Sequence, residues 1–388
     1  MRRYITVAAS FVIMLCLGGM FAWSLIAKEL TEVYGFSAAR TQLVFGIFFT
    51  VFPVAMLFAG KAEKRLGPRN MTIISSLFFT AGYLLSSFSN GNYLLILTGM
   101  GVMAGIGTGF GYLAALTLPV RWFPDKKGLI TGVVVAGFGF AAIFYSLFAE
   151  YLLNSGREIL EVFKIIGITY GAVIVAMAFL LINPAGFTES ISQIKVRFAN
   201  TSKFYKLFFG LFLGTFAGLL IIGNLTPMGA EHGISSHILV LGVSGFAVAN
   251  SAGRVSWGFI SDYIGAGLTI LFALAFQGVS ILLIGYPNII GQSTLTPTLY
   301  LVLSAMIGFG FGGNFVLFAK ETAQFFGIPN MGAIYPYVFL GYSFAGLLGP
   351  LTGGVLFDIF KSYDLPILIS AVMSIAGAGI FLTDYFRR

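Results

Sequence analysis

Apolar runs of eighteen or more residues, separated by short polar breaks, recur along the whole chain. A run of that length crosses a hydrocarbon core of about 30 Å as a helix, whereas an isolated strand would leave its backbone groups unpaired in lipid. The breaks in hydropathy predict helical spans at about 4–27, 41–60, 70–88, 92–119, 128–153, 160–182, 204–226, 237–261, 266–286, 297–319, 331–357 and 365–386. The longest connection, about 183–203, opens with Asn183-Pro184, carries Lys195, Arg197 and Lys203, and divides six spans from six. The expected organisation is an all-α membrane protein of 12 transmembrane helices. An N-terminal six-helix bundle covers 1–183, a linker 184–203 and a C-terminal six-helix bundle 204–388. Such a division leaves no room for a separate soluble domain.

Composition supports this pattern. Of the 388 residues, 58% are hydrophobic and 9% charged, against roughly 25% charged in soluble domains. The net charge of +8 does not point to nucleic acid, because the basic residues sit in alternate loops. One side holds Arg2 and Arg3, then Lys61, Lys64, Arg65 and Arg69, then Arg121, Lys126 and Lys127, then Lys195, Arg197, Lys203 and Lys206. The other holds mainly Lys28, Arg40, Arg157, Lys164 and Lys361, offset by Glu29, Glu32, Glu150, Glu158, Glu161, Asp358 and Asp364. The excess of cations on one side places both termini and the central linker in the cytoplasm. The first apolar run, Ile5 to Ala27, is too long for a signal-peptide core and lacks a small-x-small cleavage site, so it is read as a span. The single cysteine, Cys16, permits no internal disulfide.

The two halves repeat one another. The loop after span 2 reads Gly60-Lys-Ala-Glu-Lys64-Arg65-Leu-Gly67-Pro-Arg69, and the loop after span 8 reads Gly258-Phe-Ile-Ser-Asp262-Tyr-Ile-Gly265. Spans 5 and 11 share Gly128/Gly332, Gly137/Gly341 and Ala141/Ala345 at a constant offset. Six-helix repeats of this kind build central sites that open to alternate sides in secondary transporters.

The stretch Gly60 to Arg69 resembles the loop motif of the major facilitator superfamily. Arg121-Trp-Phe-Pro-Asp-Lys-Lys-Gly-Leu at 121–129, Gly253 to Asp262, and Gly341-Tyr-Ser-Phe-Ala-Gly-Leu-Leu-Gly-Pro at 341–350 more narrowly resemble its oxalate/formate antiporter family, a relative of the monocarboxylate transporters. The resemblance implies the major facilitator fold, transport of a small carboxylate and a conformational role for the loop residues Gly60, Arg65, Gly67, Arg69 and Asp262. Three departures qualify it. Lys64 stands where the loop motif has an acid, although Asp262 keeps one in the second copy. Tyr342 stands where oxalate carriers have a span 11 lysine. Asn250 stands where monocarboxylate transporters have an acid one turn before the span 8 arginine, as it also does in oxalate carriers.

That arginine, Arg254, lies near the middle of span 8, with Asn250 and Gly258 at i−4 and i+4. Arginine at a helix centre costs about 2.5–3.5 kcal/mol on insertion scales, so it is expected to face a bundle interior or an aqueous cavity. Its planar fork suits a carboxylate; the alternative is a structural arginine bonded to carbonyls. Lys28, Arg40, Lys164 and Lys320 fall near span ends and are expected to reach the interface. With one deep cation, a monoanion balances the site and a dianion leaves a charge uncompensated.

Tyr112, Asn224, Asn250, Asn314 and Tyr342 are candidate donors to the substrate, and Phe21, Trp23 and Phe311 candidates for an apolar wall. For each, interhelical packing is the competing reading. The resemblance favours Tyr112, Trp23, Asn224 and Tyr342. Gly101, Gly105 and Gly109 give span 4 a face for close helix approach. Gly308-x-Gly310-x-x-Gly313 matches a dinucleotide fingerprint only formally, since no strand precedes it. The glycosylation-type triplet Asn200-Thr-Ser202 falls in a loop expected to be cytoplasmic.

No nucleotide-binding loop, metal cluster or nucleophile–base pair stands out, so an enzyme and an ATP-driven pump are not expected, nor any cofactor or metal. The acids lie near span ends, and His232 and His237 lie in or beside an outer loop, which disfavours a deep proton relay. The leading expectation is a monomeric secondary carrier in the inner (plasma) membrane, moving a lactate-, formate- or acetate-like monocarboxylate. It would work with a co-transported proton or by anion exchange, with the lipid bilayer and no nucleic acid as partner. The alternatives are an oxalate/formate-type exchanger and, less favoured, a non-transporting sensor on a carrier fold.

Overall fold

The computed structural model describes residues 2–36, 38–184, 198–286 and 294–382. Lys195 and Arg197, with most of the expected linker, lie outside the described residues. Helix α1 (Arg2–Leu17) runs through a 3-10 turn, Gly18–Ala22, into α2 (Trp23–Tyr34). Then follow α3 (Ala38–Ser87), α4 (Tyr93–Ile96), a stretch of π-helix over Leu97–Met103, α5 (Ala104–Trp122), α6 (Lys127–Asn154) and α7 (Ile159–Ala178). After a 3-10 turn at Phe198–Asn200 come α8 (Ser202–Glu231), α9 (Ser236–Ile264), α10 (Ala266–Gly285), α11 (Pro297–Phe326), α12 (Ile328–Phe360) and α13 (Asp364–Ile380). Among the described residues, ten helices are long and apolar enough to cross a membrane, and α13 is a shorter apolar helix.

The expected loop after span 2 is tighter than a loop. Residues 60–66 continue α3, and only Gly67 leaves the helix, at φ 70° and ψ 168°. Its counterpart Gly265 (φ 84°, ψ 151°) separates α9 from α10. Positive φ is a region that glycine enters without a Cβ clash, so the two motif copies turn on the same backbone device. Pro68 follows Gly67 at the first helical position, where its missing N–H is not required.

The chain divides into two compact units. The first comprises 1–124, 133–193 and 328–336. Here α3 packs on α5 and α7, and α1 on the same two helices. Hydroxyls of α3 tie the three together: Ser75 donates to the Gly107 carbonyl (2.6 Å), Ser76 to that of Gly171 (2.8 Å) and Thr80 to that of Gly167 (3.1 Å). Gly101, Gly105 and Gly109 lie against residues 44–55 of α3, through Ile47, Val51 and Ala55, as the four-residue glycine spacing predicted. Cys16 is buried in α1.

The second unit comprises 125–132, 194–327 and 337–388. Here α11 packs on α9, α10 and α8, and α13 on α10 and α8. Ser370 donates to the Ala217 carbonyl (2.7 Å), Ser374 to that of Leu274 (2.8 Å) and Gln277 to that of Gly214 (2.8 Å). Both units thus use short polar side chains donating to carbonyls on neighbouring helices, the pattern expected where the surrounding solvent is apolar.

The dinucleotide-like glycines are contact points within α11. Gly308 faces the backbone of Phe246, Gly310 faces Gln277, Gly312 faces the backbone of Asn250 and Arg254, and Gly313 faces Ala273. A Cβ at Gly308 would stand 2.9 Å from Phe246 Cα. We expect Gly308→Val to overpack the α9–α11 contact and destabilise the protein by about 1–3 kcal/mol, read as a lower unfolding temperature in detergent. Gly46→Ala in α3, where nothing lies within 4 Å, should be neutral or stabilising by up to about 1 kcal/mol.

Candidate functional site

Close approach of α9 and α11 positions Arg254. Gly253 abuts the Phe309 backbone and Gly312 abuts Asn250 and Arg254, so no side chain separates the two helices there. Arg254 is 0% exposed. Its Nε donates to Asn250 Oδ1 at 2.9 Å, and its guanidinium carbon lies 4.4 Å from the Phe315 ring centroid. An aromatic face attracts a cation through its quadrupole, more strongly when water is excluded. An amide oxygen and a π-face both stabilise a positive charge.

Phe315 belongs to a ring cluster. It meets Phe311 edge-on at 5.2 Å and 89° and Tyr342 at 5.3 Å and 81°, while Phe339 lies 5.1 Å from Tyr342. Among the expected site residues of this unit, Arg254, Asn250, Phe311 and Tyr342 are therefore brought together, with Phe315 and Phe339 added. Nothing in the sequence distinguished those two among 42 phenylalanines. Asn314 has a different use: its Nδ2 donates to Gln277 Oε1 on α10 (3.2 Å) and to the Phe311 carbonyl (3.1 Å). Asn224 donates within α8 to the Leu220 carbonyl (2.8 Å) and lies against Gly353. For these two the competing packing reading describes the contacts seen.

The first unit holds Phe21, Trp23 and Tyr112. Tyr112 packs edge-on against Phe52 (5.1 Å) and Phe138 (5.2 Å), and Phe21 packs on Phe138 (5.5 Å) and Phe49 (5.6 Å). Phe21 and Tyr112 thus share one aromatic cluster through Phe138. Trp23 donates its indole N–H to the Thr41 carbonyl at 3.0 Å.

The two motif copies carry buried charge pairs. In the second unit, Asp262 accepts from the backbone N–H groups of Gly128 (3.0 Å) and Leu129 (2.9 Å). A carboxylate there satisfies orphan donors and suits the positive end of the helix dipole. Lys320 donates to Asp262 at 2.6 Å and to Ser261 at 3.0 Å. The expectation that Lys320 reaches the interface is corrected: its side chain is 4% exposed because Asp262 and Ser261 draw the ammonium inward.

In the first unit, Glu63 accepts from Arg121 and from Thr117 (2.7 Å), and Arg121 also donates to Asn183 (3.0 Å). Glu63 lies against Gly332, where a Cβ would collide with its carboxylate. The first motif copy therefore does hold a buried acid, one residue before Lys64, which sequence comparison at the Lys64 position missed. Of the remaining loop residues, Gly60 abuts the Gly332 backbone, Arg69 donates to the Phe179 carbonyl (3.3 Å) and Arg65 is exposed.

The Major Facilitator Superfamily model matches residues 7–206. The oxalate:formate antiporter of Oxalobacter formigenes is 26% identical over 374 residues, covering 94% of this chain and 87% of that protein. Monocarboxylate transporter 13 of Rattus norvegicus is 24% identical, covering 98% and 88%. The crystal structure of the E. coli fucose:proton symporter superposes with a TM-score of 0.72 at 14% identity, covering 100% of both chains, and shows the same fold. Fold and relatives define a multi-pass membrane transporter rather than an enzyme. The chain belongs to the Major Facilitator Superfamily. Within it, the resemblance to the oxalate/formate antiporter family and its monocarboxylate-transporter relatives is borne out.

Removing one member of a buried ion pair leaves an uncompensated charge, which typically costs about 3–5 kcal/mol. We expect Lys320→Met to lower the unfolding temperature more than Lys320→Met/Asp262→Asn does, a non-additivity that a double-mutant cycle on purified protein measures.

Proposed function

We propose that this chain is a secondary carrier of a small organic monocarboxylate, working by alternating access with proton symport or anion exchange. The observation that carries the proposal is Arg254, a fully buried guanidinium deep in an apolar helix, held by the Asn250 amide oxygen and the face of Phe315. Among the described residues, two other buried cations are matched by acids, Lys320 by Asp262 and Arg121 by Glu63, and neither is free to serve as a second cation for a dianion. One guanidinium suits one carboxylate, and the relatives named for carboxylates point to the same substrate class. Within the second unit, Tyr342 and Asn250 serve as polar neighbours of the bound anion and Phe311 as an apolar wall. Asn224 and Asn314 hold the surrounding helices.

The topology that goes with this reading has twelve crossings. Helix α3 is counted as two crossings about Gly67, and α13 as the twelfth. Both termini are cytoplasmic by charge bias, the bundles 1–183 and 204–388 are joined by the 184–203 linker, and the carrier is a monomer in the plasma (inner) membrane.

A second reading is exchange of oxalate for formate, favoured by the 26% identity over most of the chain to the oxalate:formate antiporter. Counterflow in proteoliposomes separates the two. The monocarboxylate reading expects trans-stimulated uptake of labelled lactate or formate to exceed that of oxalate, and the reverse result overturns it. Arg254→Ala should abolish uptake in protein that remains folded, whereas Arg254→Lys, which keeps the charge and loses the planar fork, should retain a small fraction.

Asn250→Asp would place an acid one turn from Arg254. The new ion pair should preserve the fold while lowering substrate affinity by tenfold or more, about 1.4 kcal/mol. Titration of the thermal shift with lactate or formate reads that loss.

A further inference from the structure

Helix α3 ends its apolar part over Leu43–Glu63, a stretch apolar enough to cross a membrane. At that end lies an open groove of about 490 Å³ lined by Phe58, Lys61, Ala62, Arg65 and Leu66. The spacing puts all five on one helical face, with apolar residues at 58, 62 and 66 beside cations at 61 and 65. Phe58 is 61% exposed and Leu66 38%, and Lys61 and Arg65 are both exposed. The acid between the two cations in sequence, Glu63, is turned inward to Arg121 and Thr117 and is 3% exposed. The five lining residues therefore hold two positive charges, no negative one and three apolar side chains one turn apart.

We infer that this groove binds an anionic phospholipid, with its phosphate between Lys61 and Arg65 and an acyl chain along Phe58 and Ala62. Residues four apart on a helix are neighbours, and like charges there repel. A phosphate between them turns that repulsion into two charge-assisted hydrogen bonds. Basic side chains at a span end lie at headgroup depth, and the apolar side of the groove gives the lipid tail a place that a free anion has no use for. The site is separate from Arg254 and makes no assumption about the transported substrate.

The test uses the purified full chain and dioleoylphosphatidylglycerol, with dioleoylphosphatidylcholine and inorganic phosphate as comparisons. Native mass spectrometry counts retained lipids, and thermal unfolding reads protection. We expect phosphatidylglycerol to be retained and protective, phosphatidylcholine much less so, and phosphate alone not at all. In Lys61→Gln/Arg65→Gln the phosphatidylglycerol affinity should fall about thirtyfold, on the scale of two basic residues at an anionic surface. The charge-keeping exchange Lys61→Arg/Arg65→Lys should retain it, which also controls for folding. An unchanged lipid count in Lys61→Gln/Arg65→Gln overturns the inference. So does an equal loss in Arg2→Gln/Arg3→Gln, which would reduce the effect to bulk charge. Protection by phosphate equal to that by phosphatidylglycerol overturns it as well, since the occupant would then be a free anion.

Discussion

The guanidinium of Arg254 never meets water, and much of the second unit is arranged around that fact. A bare cation in an apolar interior is costly, so it needs partners that stabilise it. Asn250 supplies a dipole and Phe315 a quadrupole. Getting them there requires α9 and α11 to approach at backbone distance, which is the task of Gly253, Gly308 and Gly312. The glycines, the phenylalanine and the arginine form one construction.

Charge elsewhere in the interior is held in ion pairs. Lys320 with Asp262, and Arg121 with Glu63, are pairs whose members neutralise one another and whose remaining valences go to backbone N–H groups or hydroxyls. The two motif copies arrive at this with different residues. The second copy uses an aspartate that also accepts from the first turn of α6; the first uses a glutamate one position earlier, pressed against Gly332. A longer side chain from an earlier position on the helix can deliver a carboxylate to a comparable place, so the motif survives at the level of charge where it departs at the level of letters.

Most of the helices and their approximate ends were legible in the sequence because hydropathy and glycine punctuation are local signals. Gly67 and Gly265 marked turns that the backbone takes, and Gly101, Gly105 and Gly109 marked a face that packs. The depth of Arg254 was legible for the same reason, since a lone cation in an apolar run has few places to go. What lies around it was not. Phe315 carries no mark in a phenylalanine-rich chain, and the inward turn of Lys320 depends on Asp262, which lies on another helix. The bond from the Asn314 amide to Gln277 on α10 is likewise unmarked in the sequence. These are pairings between helices, and single-helix patterns do not encode them.

The solitary thiol of Cys16 has a practical consequence. It is buried in α1 and is the single cysteine of the chain. A thiol-reactive dye therefore meets no competing site on the folded protein's surface, and gains one when α1 leaves its packing. The chain thus carries its own reactive handle for following unfolding with an added dye. Cysteines introduced at exposed positions can be labelled against a silent background, with no need to alter the native residue first.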